Sequence, residues 1–143
     1  MTPRNHEDLQ VWRRATDLAE ATHNMVETFS REHRFAYGDQ FRRAAISVGA
    51  NIAEGASRGH RKEFVQFLYI ARGSLAELHF LSTLAGRVRL CPAERLPPLV
   101  ELINHGGRML TKMLKALDPG RPRASERLPT PRRSAKRPAV PSH

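Results

Sequence analysis

Apolar residues recur at intervals of three and four through most of this chain, a spacing that places them on one face of an α-helix. The pattern predicts a first helix over residues 8–30 and a second over residues 39–55. It predicts a third from about residue 60 to about 90 and a fourth over residues 97–117. No stretch shows the apolar and polar alternation that is typical of strands. The chain is therefore expected to be all-α.

Residues that favour turns separate the four segments. "REHRFAYGD" interrupts the apolar period, and Gly38 or Asp39 is expected to cap the second helix. The Pro97–Pro98 pair suits the first turn of the fourth helix. Four amphipathic helices joined by short connections predict an antiparallel up-down four-helix bundle within residues 1–117.

Residues 118–143 differ in composition from the rest of the chain. They are rich in Pro, Ser and Arg and contain almost nothing that a core would bury, so we expect a disordered basic tail. This segment carries 7 Lys+Arg and 2 Asp+Glu, a net charge of +5 out of +10 for the whole chain. Half of the net charge is thus predicted to lie outside the bundle.

The strong positive charge favours a polyanionic partner. The chain has 24 Lys+Arg against 14 Asp+Glu, and cationic side chains bind phosphates by releasing condensed counterions. We predict nucleic-acid binding ahead of binding to an anionic membrane. The candidate contacts on the bundle are Arg13, Arg14, Arg42, Arg58, Arg61, Lys62, Arg87, Arg89, Arg108, Lys112 and Lys115. The candidate contacts in the tail are Arg121, Arg123, Arg132, Arg133, Lys136 and Arg137.

A row of polar side chains follows one edge of the second helix. Spacings of three and four place on one stripe Gln40, Arg43, Ser47, Asn51, Glu54 and Arg58. The third helix offers as partners Arg72, Ser74 and Glu77. We expect ion pairs between the arginines and glutamates of the two sets, because buried charges need partners, and a bond from Asn51 to Ser74 or the backbone. The predicted role of this polar network is structural. Gly49 and Gly73 are expected to allow close packing of these helices.

Several kinds of site are disfavoured by what the sequence lacks. The single Cys91 rules out an internal disulfide and a multi-cysteine zinc site. The histidines show no metal-binding spacing, and no nucleophile accompanies an adjacent base. We predict no catalytic residue, cofactor or metal. No apolar run approaches the ~20 residues of a membrane span, and the N-terminus lacks the features of a secretory signal, so a cytoplasmic protein is expected.

Three stretches resemble the four-helix-bundle proteins named after the intervening sequences of bacterial 23S rRNA genes. They are "DLQVWRRATDLA", "QFRRAAISVGANIAEGASRGHRKEFVQFLYIARGSLAEL" and "GRMLTKMLKAL". The similarity covers about residues 7–117, and "NIAEG" and "ARGSLAEL" are its most specific parts. His60 departs from the small hydroxyl residue often found before "KEF", which concerns only a helix cap.

This resemblance implies a cytoplasmic bacterial bundle that assembles into a ring-like homopentamer. A similar fold serves as the accessory protein of diversity-generating retroelements, where a basic pentamer binds RNA and a reverse transcriptase. No catalytic residue carries over from either group. The leading hypothesis is a non-catalytic, homo-oligomeric RNA-binding protein, in which several copies of a weak basic patch combine into useful affinity.

Two alternatives stay open. "RGSLAELH" places Arg72 and His79 seven residues apart on one helix face and resembles the Arg-x4-6-His signature of all-helical HEPN ribonucleases. In those enzymes the pair acts on the scissile phosphodiester, so His79 would have to face a cleft.

The other alternative is a protein-interaction adaptor, such as a reverse-transcriptase accessory subunit that docks through the tail. Its affinity should depend less on salt than that of an RNA-binding protein.

Overall fold

The computed structural model describes the backbone of residues 6–120 and the side chains of residues 10–120. This part of the chain contains four long helices, which are α1 (His6–Glu27), α2 (Asp39–Ser57), α3 (Arg61–Arg87) and α4 (Leu96–Leu117). It contains no strand. The all-α prediction is confirmed, whereas the predicted tail from residue 121 onward lies outside the described residues.

Contacts between neighbouring helices show that consecutive helices run antiparallel. In each pair, residue numbers rise along one helix as they fall along the other. The contacts that show this are Glu27–Arg42 and Ala15–Gly49 for α1 and α2, Glu77–Gln40 and Ser74–Ser47 for α2 and α3, and Gly86–Leu96 and Leu75–Gly106 for α3 and α4. Because α1 also packs against α4, the ring of four helices closes. The predicted up-down bundle is confirmed.

The core lies along the bundle axis, and each helix contributes the apolar face that its sequence period predicts. The largest fully buried apolar side chains are Val26, Phe41, Leu68, Leu78, Leu99 and Leu110. Burying such a side chain contributes about 1.5–3 kcal/mol, so this row is the main source of stability. Thr22 is also buried, because its hydroxyl donates a hydrogen bond to the Leu18 carbonyl at 2.8 Å.

The start of the second helix differs from the prediction. Residues 31–38, expected to break the helix, form a helical turn (Arg31–His33) and a π-helical segment (Arg34–Gly38) that continues directly into α2. The N-cap is Ser30, whose hydroxyl accepts a hydrogen bond from the His33 backbone amide at 3.2 Å. We call residues 31–38 the lead-in segment.

The glycine that suggested a helix start has another purpose. Gly38 has helical backbone dihedrals and makes no side-chain cap. A Cβ built there would lie 3.0 Å from Cγ1 of Val26, so glycine at this position permits the close approach of α1. The predicted cap at Gly38 or Asp39 was wrong. The glycine at position 38 is explained by its contact with the distant Val26 and not by a turn.

The remaining helix boundaries follow the sequence closely. The fourth helix begins at Leu96 with two prolines in its first turn, as predicted, and a short 3-10 turn (Ala93–Arg95) precedes it. The third helix ends at Arg87, and Arg89 then adopts a positive φ of 57°. Along residues 6–120, none of the helices combines the length and apolarity that crossing a bilayer requires.

Candidate nucleic-acid interface

The solvent face of α4 carries a row of cationic side chains. Arg108, Lys112 and Lys115 follow one another at spacings of four and three, and all three are exposed. The opposite face of the helix is buried in the core through Leu99, Ile103, Leu110 and Leu114. Because one face is fixed inward, the cationic residues must lie side by side in water. We call these three residues the α4 basic row.

The α4 basic row borders an open depression of about 460 Å³ together with Gly107 and Thr111. Gly107 contributes only backbone atoms to its lining. Arg108 also contacts Glu101 at 3.8 Å, but both side chains are well exposed and such a pair is weak. Cations and a hydroxyl around a solvent-open depression offer the donors that phosphate oxygens accept.

The other predicted basic contacts on the bundle are dispersed. Four are exposed without an ion pair to a described residue, namely Arg13, Lys62, Arg87 and Arg89. Arg14 is half-buried. Arg42 binds Glu27 at 2.7 Å, and Arg58 binds Glu54 at 2.8 Å, so both are partly neutralised. The predicted tail contacts lie outside the described residues, and they are Arg121, Arg123, Arg132, Arg133, Lys136 and Arg137.

Arg61, also predicted as a nucleic-acid contact, directs its hydrogen bonds into the bundle. Its Nε and Nη2 atoms donate to the Leu117 carbonyl at 2.9 and 2.7 Å, and Nη2 also donates to the Ala116 carbonyl at 3.3 Å. The last carbonyls of a helix lack intrahelical partners, so Arg61 caps α4. Tyr69 adds a hydrogen bond to the Asp118 carboxylate at 3.2 Å. Together these bonds fix where the chain leaves α4.

The predicted polar network is formed in part between α2 and α3. The Ser47 and Ser74 hydroxyls bond to each other at 2.8 Å. The Asn51 amide donates to both the carbonyl and the hydroxyl of Ser47, at 2.7 and 2.9 Å. Nearer the start of α2, the Gln40 amide donates to the Glu77 carboxylate at 3.3 Å. Two of these bonds, Ser47–Ser74 and Gln40–Glu77, join α2 to α3, whereas the Asn51 bonds lie within α2.

The predicted ion pairs across α2 and α3 are not formed among the described residues. Glu54 binds Arg58 on its own helix, and the Arg72 guanidinium lies 5.0 Å from the centre of the Tyr69 ring. Arg43 is exposed and has neither a hydrogen bond nor an ion pair within residues 10–120. Arg43, Glu54 and Glu77 are exposed to water, where an ion pair contributes little. These charges therefore do not require a partner across the two helices.

The residues of the ribonuclease alternative do not meet at the depression. His79 is exposed on α3, and Arg72 is half-buried against Tyr69. Neither residue lines the depression on α4. His79 is therefore accessible to solvent, but it does not face this cleft.

No cluster of three or more His, Cys, Asp or Glu in the described part of the chain could hold a metal ion. The half-buried Cys91 is also a poor nucleophile. Burial raises the pKa of its thiol, Glu94 raises that pKa further, and Arg95 partly opposes both. A raised pKa leaves less of the reactive thiolate at neutral pH.

Comparison with known proteins identifies the family. The chain matches the family described as "23S rRNA-intervening sequence protein" over residues 7–112. It belongs to this family. A crystal structure of a protein of unknown function from the S23 ribosomal protein family of Bacteroides thetaiotaomicron superposes with a TM-score of 0.69. The two sequences are 22% identical, and the match covers 73% of this chain and 98% of that chain, so it establishes a shared fold. A comparison with curated proteins gives no match.

In this member of the 23S rRNA-intervening sequence family, the depression itself was not predicted from sequence. Arg108, Lys112 and Lys115 were each named as candidates, but Gly107 and Thr111 were not. The spacing of the three cations contains the signal, because it alone places them on one helix face.

Proposed function

We propose that this protein is a non-catalytic RNA-binding protein that acts as a homo-oligomer. The observation that supports the proposal most directly is the α4 basic row around its open depression. Backbone phosphates of RNA match such a surface, because each bound cation releases condensed counterions into solution. The cationic side chains would contact the phosphates and sugars of the RNA rather than its bases, so binding through this surface is independent of base sequence.

The tail extends the positive charge of the row. Arg61 holds the end of α4 beside the start of α3, and Lys115 lies in the last turn of α4. The next residues along the chain, 118–143, carry a net charge of +5. The row and the tail are therefore consecutive in the chain and have the same sign, which favours their action on one polyanion.

Self-association is supported by the outer surface of α2 and α3. Three large apolar side chains are exposed there, namely Ile46 (59%), Ile70 (52%) and Phe80 (65%). Gly73 shares the face of Ile70 and Phe80 on α3, and nothing lies within 4 Å of a Cβ built on it. A glycine inside a helix costs ~1 kcal/mol relative to alanine, and no contact with the described residues offsets that cost. A second copy packed against this face would explain both features.

Assembly would make the weak basic row effective. Linked copies of one site bind a long polyanion with an effective concentration that a single copy lacks. The pentameric ring implied by the family resemblance belongs to this proposal, as does a bacterial cytoplasmic location. A reverse transcriptase or another protein is the partner in the competing adaptor hypothesis.

The test is a salt titration of RNA binding with charge-reversal variants of the full chain. Lys112→Glu combined with Lys115→Glu should weaken binding at least tenfold and reduce the slope of log Kd against log salt by about 0.7 for each lost phosphate contact. The matched control, Arg13→Glu combined with Arg43→Glu, makes the same change in net charge on α1 and α2 and should weaken binding less. Light scattering must show the same mass for all three proteins.

Two results would contradict the proposal. An equal loss in the control pair would mean that net charge, not the α4 basic row, determines affinity. A wild-type protein that forms an oligomer but binds RNA without dependence on salt, or not at all, would instead favour the protein adaptor.

A further inference from the structure

Phe35 is the most exposed large apolar side chain of the described residues, with 90% of its surface in water. It lies within the π-helical segment Arg34–Gly38, where the sequence predicted a break between the first and second helices. An exposed ring of this kind contributes almost nothing to the core. Single π-helical turns inside helices occur frequently at functional sites. Phe35 therefore needs an explanation outside the fold of the single chain.

The lead-in segment that presents Phe35 is firmly attached to the bundle. Glu27, at the end of α1, accepts hydrogen bonds from Arg42 at 2.7 Å and from Arg34 at 3.5 Å. Tyr37 packs against the core on the inner side. These contacts hold the backbone on both sides of Phe35 in the sequence, so the ring projects from a prearranged backbone. A fixed, exposed aromatic ring loses little conformational freedom when it binds a flat partner.

Arginine side chains lie close to Phe35 in the chain. Arg31 lies one helical turn before Phe35 and is exposed, and the side chain of Arg34 is 40% exposed. The antiparallel topology brings the end of α3 and the start of α4 to the same end of the bundle. The arginines of this end are Arg31, Arg34, Arg42, Arg87, Arg89 and Arg95. Its carboxylates are Glu27, Glu32, Asp39, Glu77 and Glu94, so six arginines against five carboxylates leave this end slightly net positive.

We propose that Phe35 stacks on an unpaired base of single-stranded RNA, with Arg31 and Arg34 contacting the phosphates on either side. Surfaces that bind single strands combine cationic side chains with aromatic rings in this way. A duplex keeps its bases stacked inside, so it offers nothing for the ring to contact. The inference rests on the proposed function and refines it, because the α4 basic row binds any RNA backbone whereas Phe35 selects unpaired RNA.

The experiment compares two probes on the full-length protein, a labelled single-stranded oligouridylate and a blunt RNA duplex of the same length. Phe35→Ala should weaken binding of the single strand about 5- to 100-fold and leave duplex affinity within about twofold. Phe35→Trp should retain single-strand affinity, because indole also stacks. The salt slope should stay constant in both variants, since no charge is lost. The melting temperature should not change, because the ring is exposed.

Trp12→Ala is the matched control, since it removes another partly exposed aromatic ring (42%), in the first half of α1, and should leave single-strand affinity unchanged. Wild-type single-strand affinity in Phe35→Ala would overturn the inference, and the proposed function would stand if reversal of the α4 basic row still weakened both probes. A lower oligomer mass for Phe35→Ala with equal losses for both probes would also overturn it, because Phe35 would then be a subunit contact.

Discussion

Gly55 and Gly73 are both glycines inside long helices, but their surroundings differ. A Cβ built at Gly55 would lie 2.6 Å from the Cβ of Phe67, an atom held close to the α3 backbone. A Cβ at Gly73 would meet nothing within 4 Å. Gly55 therefore allows α2 and α3 to approach each other, whereas the fold of the single chain does not require Gly73.

The two glycines give a matched pair of variants. Gly55→Ala should lower the free energy of unfolding by about 1–3 kcal/mol, because the added methyl group forces the helices apart. In a background that dissociates the oligomer, such as Ile70→Glu, Gly73→Ala should instead raise it by up to ~1 kcal/mol through helix propensity, whereas in the oligomer the added methyl group would meet the second copy. Urea denaturation at one fixed protein concentration measures both, since an oligomer's stability depends on concentration. A similar loss in the two variants would show that Gly73 is packed too.

The packing partner of a helix glycine could not be predicted from the sequence. Gly49 and Gly73 were both expected to allow packing of the second and third helices. Gly49 does face a neighbour, but that neighbour is Ala15 of α1, 3.2 Å from the built Cβ, and Gly73 faces open space. A glycine's position in a helix is visible in the sequence, whereas the residue opposite it depends on how helices pack.

At the scale of a single helix, the last turn of α4 depends on a residue far away in sequence. Arg61→Ala removes the hydrogen bonds to the carbonyls of Leu117 and Ala116. We expect a loss of about 1 kcal/mol in unfolding free energy and faster hydrogen exchange at the Asp118 amide, which bonds to the Leu114 carbonyl. Lys62→Ala, a neighbouring exposed cation, is the control. Unchanged exchange in Arg61→Ala would mean that the cap does not stabilise the turn.

The helices were largely predictable, and the lead-in segment was not. The apolar period placed α1, α3 and α4 within a few residues of their observed limits, because their buried faces are regular. In residues 31–38 the ring of Phe35 faces water and Gly38 contacts Val26, so the period is lost although the backbone remains helical. Tertiary contacts, which no local pattern contains, decided the conformation there.

The candidate interface was predictable as a set of cations but not as a geometry. The spacing of Arg108, Lys112 and Lys115 is enough to place them together. The sequence could not show which cations bind other groups of the protein, because their partners are distant in sequence. Arg42 binds Glu27, and Arg61 binds the end of α4.

For the whole molecule, the exposed apolar face of α2 and α3 makes a prediction about assembly. Ile70→Glu introduces a charge at a half-exposed position, so the subunit should still fold while the oligomer dissociates. Light scattering should then give the mass of one chain, and RNA affinity should fall because multivalency is lost. His79→Glu, at an exposed position on another side of the same helix, should keep the wild-type mass. An unchanged mass for Ile70→Glu would place the subunit contact elsewhere.

The direction of the four helices has a practical consequence for labelling. Ala15 faces Gly49, and Arg61 binds Leu117, so the start of α1 and the end of α4 lie at one end of the bundle. Fluorophores attached near these two points would transfer energy efficiently in the folded state and lose that transfer on unfolding. A bulky tag attached at either of these two points would crowd Lys115, whereas Phe35 lies at the opposite end of the bundle. Such a tag is therefore expected to weaken binding through the α4 basic row and to leave contacts of Phe35 with an unpaired base unaffected.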